Sequence, residues 1–523
     1  MRVCLINPMI DSKYNMDPEP HLGLAYIASF LKKNGYSVDI IDAPIEGYIH
    51  QQIIEALVLG NYDAIGISCY YFNYLSAYKL MKDTRRIFSQ SFIFAGGYLP
   101  TLAHEKMRND LKIINCCVIG EGEKTTLSLL ENLKNNCWQT TPSIAYLKDN
   151  TIFITEKAVL IDDLDELPFP VRQRKKENAH IVDLIASRGC YGQCKFCSIH
   201  EFYQTCKGRK VRQRSPENVV NEIELLIETL DVRCFNFVDD NFYICSKSAQ
   251  KWFYEFKDLI VKKGIKTSFH CNFRANEIIA QKEIVKDFIE IGLVRVFVGV
   301  ESLLDSHLAF YGKNVTAKEN IAALEVLDEL EVNYDIGFLL YNPITTIEDI
   351  IQTVETLRQI RFNHRNQNII RPFSAAVVNS VYGTQLNAYI IDNGLYERSS
   401  KGYFIKEQKA RICYEVAKKW KEKTDFIYRK RWLYDVAEDT GDREMMESIK
   451  KTYYDLFQCD LNILEEIARS LSSGVKSSTA CFKNDYERWY SYMTKKIQAL
   501  NKIEINIKNN TPYALTSVVE QKY

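Results

Sequence analysis

The sequence has no excess of charge of either sign, because 67 lysines and arginines balance 67 aspartates and glutamates. A zero net charge gives no general attraction to nucleic acid or to an anionic membrane surface. No apolar run approaches the ~18 residues that suggest a membrane span. The first apolar stretch, Val3 to Ile6, is soon followed by Pro8 and is too short for the core of a signal peptide. We therefore expect a cytoplasmic protein with no membrane or nucleic-acid partner.

The sequence also lacks the regular cysteine spacing of a disulfide framework. It has 15 cysteines, an odd number, and most of them are scattered, which favours a reducing compartment. The 523 residues are 46% hydrophobic and 12% aromatic. This composition supports packed cores, and the length predicts two or three domains.

Three cysteines stand apart from this scatter. Cys190, Cys194 and Cys197 form a C-x-x-x-C-x-x-C motif after an apolar run that reads as a strand. Thiolates this close on one loop can converge on a soft metal centre, and three are one short of the four that close a four-iron cluster. The alternatives are zinc, for which no second cysteine pair follows at a suitable distance, or ordinary buried cysteines.

The triplet resembles the cluster loop of radical S-adenosylmethionine (SAM) enzymes. The resemblance implies a 4Fe-4S cluster whose open iron chelates SAM, and an electron from the cluster that cleaves SAM to a 5′-deoxyadenosyl radical. It also implies an external one-electron reductant such as flavodoxin or ferredoxin. Phe196, inside the motif, resembles the aromatic residue that packs beside the adenine of SAM.

Residues 1–135 alternate apolar strands with helical patterns, which predicts a doubly wound parallel sheet. The candidate strands are Val3–Asn7, Val38–Ile41, Ala64–Ser68, Phe92–Ala95 and Cys117–Ile119. Ligands of such sheets bind beyond the carboxyl ends of the strands. A Rossmann nucleotide site is the alternative, but the first strand is not followed by G-x-G-x-x-G.

The loops of this first domain resemble the cobalamin-binding domain that precedes many radical SAM domains. The resemblance rests on Pro20 to Tyr26, on a Gly-Gly turn and on a Gly-Glu-Gly-Glu run. The expected cobalamin contacts are Ser68, Tyr70, Tyr71, Gly96, Gly97, Gly120, Glu121 and Glu123. His21 does not fit the D-x-H-x-x-G motif of domains that place histidine under cobalt. The resemblance therefore implies base-off cobalamin with no histidine ligand.

Residues 136–179 read as a linker with some strand, and residues 180–384 as a partial barrel of six strand–helix units. The sixth candidate strand is Phe373–Asn379. Polar residues at the carboxyl ends of the strands resemble the SAM-binding motifs of the family. The expected SAM contacts, besides Phe196, are Asp239, Asp240, Arg274, Glu301 and Ser302. Arg274 could pair with the SAM carboxylate or be a structural arginine.

Residues 385–523 read as helices, with candidates at Gly402–Thr424, Phe426–Glu438, Arg443–Cys459, Leu461–Ser470 and Tyr486–Ile503. This region is either a cap that supplies groups to the substrate or a packing and dimerisation module. Its cysteines are too scattered for a second cluster. Many radical SAM enzymes that modify peptides resemble one another in having a domain with such a cluster, so its lack favours a small-molecule substrate over a peptide.

Over residues 1–385 the chain resembles a cobalamin-dependent radical SAM enzyme. The outcome expected from the resemblance is methylation of an unactivated carbon in a biosynthetic intermediate. Non-methylating oxidation, rearrangement or cyclisation of a natural-product precursor stays open, as does a less favoured role as a cofactor-binding sensor. The catalytic groups beyond the cofactors are not identified by the sequence.

Overall fold

The structure of this protein is a computed structural model. It describes residues 1–11, 20–172, 181–230, 232, 234–242, 245–360, 373–397, 402–428, 430, 433 and 443–510. Within these residues the chain forms two large sheets with their helices, followed by a helical region.

The first sheet is parallel over five strands in the order β2-β1-β3-β4-β5. These strands are Arg2–Asn7 (β1), Ser37–Asp42 (β2), Ala64–Ser68 (β3), Phe92–Gly96 (β4) and Cys116–Val118 (β5). Central strands such as β3 are buried along their whole length, because helices cover both faces. The strand order reverses between β1 and β3, where ligands of doubly wound sheets bind.

Helices on the two faces of this sheet enclose two separate apolar cores. Leu22–Lys33 (α1) and Gly122–Lys134 (α6) pack on one face, and His50–Gly60 (α3) and Tyr74–Ile87 (α4) on the other. Two short helices, Ala43–Glu46 (α2) and Tyr98–Ala103 (α5), follow β2 and β4. The doubly wound sheet predicted from the sequence is confirmed.

A hairpin extends this sheet into the segment interpreted as a linker. Ile144–Lys148 (β6) pairs antiparallel with β5, and Thr151–Ile154 (β7) pairs with β6. The two-residue turn Asp149-Asn150 has φ values of 48° and 57°, the left-handed pair that a tight hairpin requires.

The second sheet is an open, all-parallel partial barrel in the order β14-β13-β12-β11-β8. Its strands are Ile181–Leu184 (β8), Cys234–Phe237 (β11), Ser268–Arg274 (β12), Leu293–Glu301 (β13) and Asn333–Phe338 (β14). A two-stranded ribbon pairs Ser187–Arg188 (β9) with Arg212–Gln213 (β10). It leads into the loop that carries Cys190, Cys194 and Cys197, which is called the cluster loop below. The sixth predicted unit is a departure: within the described residues it contributes a short 3-10 helix and one bridge between Tyr341 and Val377.

The helices of the barrel lie outside its strands around a core rich in phenylalanine, including Phe237, Phe256, Phe269 and Phe288. They are Ser198–Gln204 (α7), Pro216–Leu230 (α8), Lys247–Lys262 (α9), Ala275–Ala280 (α10), Lys282–Glu290 (α11), Asp305–Tyr311 (α12), Ala317–Glu329 (α13) and Ile347–Gln359 (α14).

The C-terminal region continues the core of the barrel. Gln385–Asp392 (α15) and the strands Tyr396–Glu397 (β15) and Gly402–Tyr403 (β16) come first, and in the described part of the chain three long helices follow. They are Gln408–Tyr428 (α16), Arg443–Ser472 (α17) and Asp485–Asn510 (α18), and α17 packs on α14. The predicted pair Arg443–Cys459 and Leu461–Ser470 is thus one helix, and most of the predicted Phe426–Glu438 helix lies outside the described residues. None of the helices in the described part is long and apolar enough to cross a membrane.

The first domain also touches the chain where it leaves the barrel. The ammonium of Lys106 lies 4.0 Å from the centre of the Tyr382 ring. A Cβ on Gly383 would come within 2.9 Å of the Leu102 Cβ, so the two backbones are in close contact there.

Candidate functional site

A cavity of about 290 Å³ lies between the carboxyl edge of the first sheet and the start of the cluster loop. One wall comes from the first domain and includes Ser68, Gly97 and Glu121. The opposite wall comes from the barrel and includes Arg188 and Asp240. All the residues predicted to contact cobalamin line this cavity except Tyr71, which is 41% exposed.

The floor of the cavity reaches between the first sheet and its helices α1 and α6. Leu5, Gly66, Phe94 and Val118 line it from the strands, and Thr126 lines it from α6. The cavity thus continues from the edge of the sheet into the first domain. This mostly apolar lining with polar groups at the sheet edge suits a ligand that is partly apolar and partly polar.

Glycine is required where the ligand would approach the backbone after β4. Gly97 has a φ of +105°, and a Cβ there would lie 2.9 Å from the carbonyl oxygen of Cys69. A side chain is excluded both by this contact and by the backbone conformation. The turn therefore presents bare backbone to the cavity.

His21 is partly buried at the edge of the sheet, and both its ring nitrogens have partners. The backbone N–H of Leu24 donates to Nδ1 at 3.1 Å, and Nε2 lies 2.8 Å from the Ser68 hydroxyl. Burial lowers the pKa of His21 to about 4, so the imidazole is neutral near pH 7. Its ring centre is 5.7 Å from that of Tyr70.

Tyr26, on α1, has a hydroxyl that makes no hydrogen bond although it is buried beside the cavity. Burying a hydroxyl without a partner costs free energy. A polar group of a bound ligand would satisfy it. This unpaired hydroxyl and the bare turn at Gly97 are the features of the cavity that fit a large, partly polar cofactor.

Four buried charges connect the two walls of the cavity. Glu121 pairs with Arg212 at 2.8 Å and with Arg188 at 3.2 Å, and Glu123 pairs with Arg188 at 2.6 Å. Burial alone would raise the pKa of Glu121, but the two guanidinium groups outweigh it and hold that pKa below its usual value. Glu121 and Glu123, predicted as cobalamin contacts, thus also bind the first domain to the barrel.

The cluster loop places the three cysteines near one another in a largely buried setting. The thiols of Cys190 and Cys197 each interact electrostatically with that of Cys194. Burial raises the pKa of both, to about 12 for Cys197, so iron must displace protons when it binds. Among the described residues, no three His, Cys, Asp or Glu side chains form a group that could hold a metal ion. A cluster differs from a single ion because it spreads its thiolates over separate irons.

Asp239 and Asp240 anchor the backbone that leads into this loop. Asp239 accepts hydrogen bonds from the Ala186 N–H and the Ser187 hydroxyl, and Asp240 accepts one from the Gly189 N–H at 2.9 Å. Burial raises the pKa of Asp239 to about 7. Both were predicted as SAM contacts; in the structure they position the loop, and Asp240 also lines the cavity.

Glu301 has a strained backbone at the carboxyl end of β13. Its φ is +63°, and the register between β13 and β14 shifts at this residue. Such a conformation costs a non-glycine residue of order 1–3 kcal/mol and is typical of functional sites. The carboxylate pairs at 3.0 Å with the buried ammonium of Lys313, a residue that the sequence analysis missed.

The remaining predicted SAM contacts differ in their surroundings. Phe196 packs edge-on against Tyr311, with ring centres 5.3 Å apart. Ser302 is buried and its hydroxyl accepts from the Leu304 N–H at 3.2 Å. Arg274 is buried with its guanidinium against the cluster loop.

Two family models match this chain. Residues 17–130 match the B12 binding domain, and residues 184–360 match the Radical SAM superfamily. The chain belongs to the cobalamin-binding radical SAM enzymes. Membership implies a 4Fe-4S cluster, SAM and cobalamin as cofactors, and it favours the cluster over zinc for the cysteine triplet. It also excludes the Rossmann alternative for the first domain.

Relatives and a solved structure are similar to this cobalamin-binding radical SAM enzyme over most of its length. An uncharacterised methyltransferase of Pyrococcus horikoshii is 25% identical over 405 residues, covering 76% of this chain and 84% of the relative. The hopanoid C-3 methylase of Methylococcus capsulatus is 26% identical, covering 64% of this chain and 63% of the relative.

The solved structure is that of the cobalamin-dependent S-adenosylmethionine radical enzyme OxsB with aqua-cobalamin bound. It superposes with a TM-score of 0.75 at 17% identity and covers 100% of this chain and 83% of that one. This likeness confirms the fold, including the helical C-terminal region.

Proposed function

We propose that this enzyme methylates an unactivated carbon of a small-molecule biosynthetic intermediate. When bound, the cluster with SAM supplies the radical that activates carbon, and cobalamin supplies the methyl group. The observation that carries the proposal is the shared cavity, whose walls come from the sheet edge of the first domain and from the loop that enters the cysteine triplet. The relatives named as a methyltransferase and a methylase support it.

The residues of the chain would hold these groups in one chamber. We propose Cys190, Cys194 and Cys197 as the ligands of the cluster. The cavity-lining residues Ser68, Tyr70, Gly96, Gly97 and Gly120 would contact cobalamin. Phe196, Glu301 and Ser302 would contact SAM, and Glu301 is already held in place by Lys313. The buried ion pairs between the walls would keep water out of the chamber.

We further propose that cobalamin binds base-off with no histidine below cobalt. His21 is the histidine on the cavity wall, and the Leu24 N–H and the Ser68 hydroxyl occupy its two nitrogens. To ligate cobalt it would have to break one of these hydrogen bonds. The electron paramagnetic resonance spectrum of the cobalt(II) form checks this: splitting by an axial nitrogen should be missing, and its presence would contradict the proposal.

An external one-electron reductant such as flavodoxin or ferredoxin would supply the electron, and we place the reaction in the cytoplasm. All 15 cysteines are free thiols in the structure. This is expected of a reducing compartment.

The test is anaerobic reconstitution with iron, sulfide and hydroxocobalamin, followed by turnover with SAM that is labelled in its methyl group. Label in the product would support methyl transfer. Formation of 5′-deoxyadenosine with an unlabelled, altered product would instead indicate oxidation, rearrangement or cyclisation. Binding of all three cofactors without SAM cleavage would indicate a sensor and overturn the proposal.

A matched pair of variants assigns the cluster to the motif. Cys197→Ala should lose the cluster and all SAM cleavage, because a three-thiolate site has no spare ligand. Cys206→Ala removes a buried thiol close to the cavity but outside the motif, and it should keep its full iron content. Equal iron loss in both variants would contradict the assignment.

A further inference from the structure

Arg274, at the end of β12, directs its guanidinium at a cluster cysteine. Its Nη1 lies 3.6 Å from the Sγ of Cys194, within hydrogen-bond distance for sulfur, and its Nη2 donates to the carbonyl oxygen of Lys313. The Tyr191 ring lies beside the guanidinium, 5.2 Å from its central carbon. Arg274 is only 8% exposed. The side chain is thus fixed from three directions.

The cluster loop leaves room for this arginine at Gly192. A Cβ on Gly192 would come within 2.5 Å of the Arg274 Nη1 and 3.3 Å of the Cys190 Sγ. Any other residue would therefore push the guanidinium away from the thiols. The Gly192 N–H itself points at the Cys190 Sγ at 3.3 Å. Two donors, one of them cationic, therefore face the sulfurs of the triplet.

A cation at this position acts on the electron affinity of a cluster. Three thiolates give a four-iron cluster a net negative charge, and one-electron reduction adds a further negative charge. A buried guanidinium stabilises the reduced state more than the oxidised one, because its attraction grows with that charge and the low dielectric hardly screens it. Hydrogen bonds to the sulfurs are among the features that set cluster potentials.

We propose that Arg274 is a positioning residue that raises the reduction potential of the cluster through Cys194, so that a one-electron reductant can reduce it. This role differs from the SAM-carboxylate contact expected from the sequence. It rests on the proposed cluster at Cys190, Cys194 and Cys197. The atoms that act are Nη1 of Arg274 and Sγ of Cys194, and no bond is made or broken.

The test is a redox titration of the reconstituted enzyme, with and without SAM, in which electron paramagnetic resonance follows the reduced cluster. Arg274→Gln should lower the midpoint potential, and Arg274→Lys should lower it less because the charge remains. Gly192→Ala, which displaces the guanidinium without removing it, should also lower it. Arg295→Gln removes the arginine of β13 that pairs with Asp335 away from the triplet, and its potential should match the wild type.

Each outcome either supports or overturns the proposed effect of Arg274 on the reduction potential of the cluster. Lower potentials in Arg274→Gln and Gly192→Ala at full iron content support the proposal. Unchanged potentials with weakened SAM binding in Arg274→Gln would overturn it in favour of the SAM-carboxylate role. If Arg274→Gln fails to assemble a cluster, Gly192→Ala and Arg274→Lys give the same decision. Absence of a cluster in the wild type would instead refute the proposed function, and iron analysis distinguishes that case.

Discussion

Single residues carry most of the chemistry in this protein, and the sequence showed some of them and missed others. The cysteine triplet could be found because its members lie within eight positions on one loop. Arg188 and Arg212 could not, since they are 24 positions apart and their partner Glu121 lies in another domain. The sequence held one indication that Arg188 belongs to the site, because it lies two residues before Cys190. For Arg212 and the buried Lys313 the sequence offers no signal.

Removal of Glu121 should weaken the whole connection between the domains. Glu121→Gln leaves the fully buried Arg212 without its carboxylate, and breaking a buried pair typically costs about 3–5 kcal/mol. We expect a clear fall in the free energy of unfolding, measured by denaturant titration. Glu166→Gln breaks the exposed pair with Lys124 and should cost less than about 1 kcal/mol. Equal losses in the two variants would contradict a special role for the buried network.

The secondary structure predicted from the sequence agrees best with the structure in the first domain. Its five parallel strands were each predicted to within about a residue of their observed ends, because buried parallel strands read as unbroken apolar runs. Residues 136–179 were interpreted as a linker with some strand, but the β6–β7 hairpin was not located, although Asp149-Asn150 between two apolar runs is a typical turn signal. The sixth predicted strand, Phe373–Asn379, is much shorter in the structure: it begins as a 3-10 helix and pairs in parallel with Tyr341 through Val377 alone, because apolar content does not determine how many residues pair with a neighbouring strand.

The two helices predicted on either side of Asp460, Arg443–Cys459 and Leu461–Ser470, form the single long helix α17. In the structure Asp460 is buried, and its Oδ1 accepts a hydrogen bond at 2.9 Å from the indole N–H of Trp420 on α16. The carboxylate at the break between the predicted helices thus connects α17 to α16. Only the fold supplies the indole, 40 residues away, that makes this burial acceptable.

The same aspartate should make stability depend on pH. Burial raises the pKa of Asp460 from 3.8 to about 7, so between these values the folded state binds more protons than the unfolded state. The free energy of unfolding should therefore fall as pH rises from 4 to 7. Asp460→Asn keeps an acceptor for Trp420 but does not titrate, and it should flatten this decline in a series of thermal melts. An unchanged slope in the variant would exclude Asp460 as its source.

At the scale of the whole molecule, the barrel and the C-terminal helices share one hydrophobic core, whereas the first domain has its own. Of the described C-terminal helices, α16 and α17 pack on α14 and α18 packs on α17, and no described residue beyond Asp240 lines the cavity. A packing role for this region is therefore what the structure shows, and a contribution to the substrate site remains a prediction. Sequence patterns predict where helices form, but they do not predict the surface on which those helices pack.

This division of cores predicts how the molecule unfolds. Phe288→Ala in the barrel and Leu464→Ala in α17 each remove a fully buried side chain, at a cost of about 2–5 kcal/mol. Both should shift the same calorimetric transition, because they belong to one core. Leu57→Ala in α3 should shift a different one. Separate transitions for Phe288→Ala and Leu464→Ala would show that the C-terminal helices form an independent unit.

The first domain contacts the barrel through two separate sets of residues, Arg188 and Arg212 near the start of the barrel and Tyr382 and Gly383 where the chain leaves it. A domain held by one set of contacts could rotate away from the barrel about those contacts. With two attachments, rotation about either one must break the other. Opening the chamber by a simple hinge motion would therefore require one of these two sets of contacts to break.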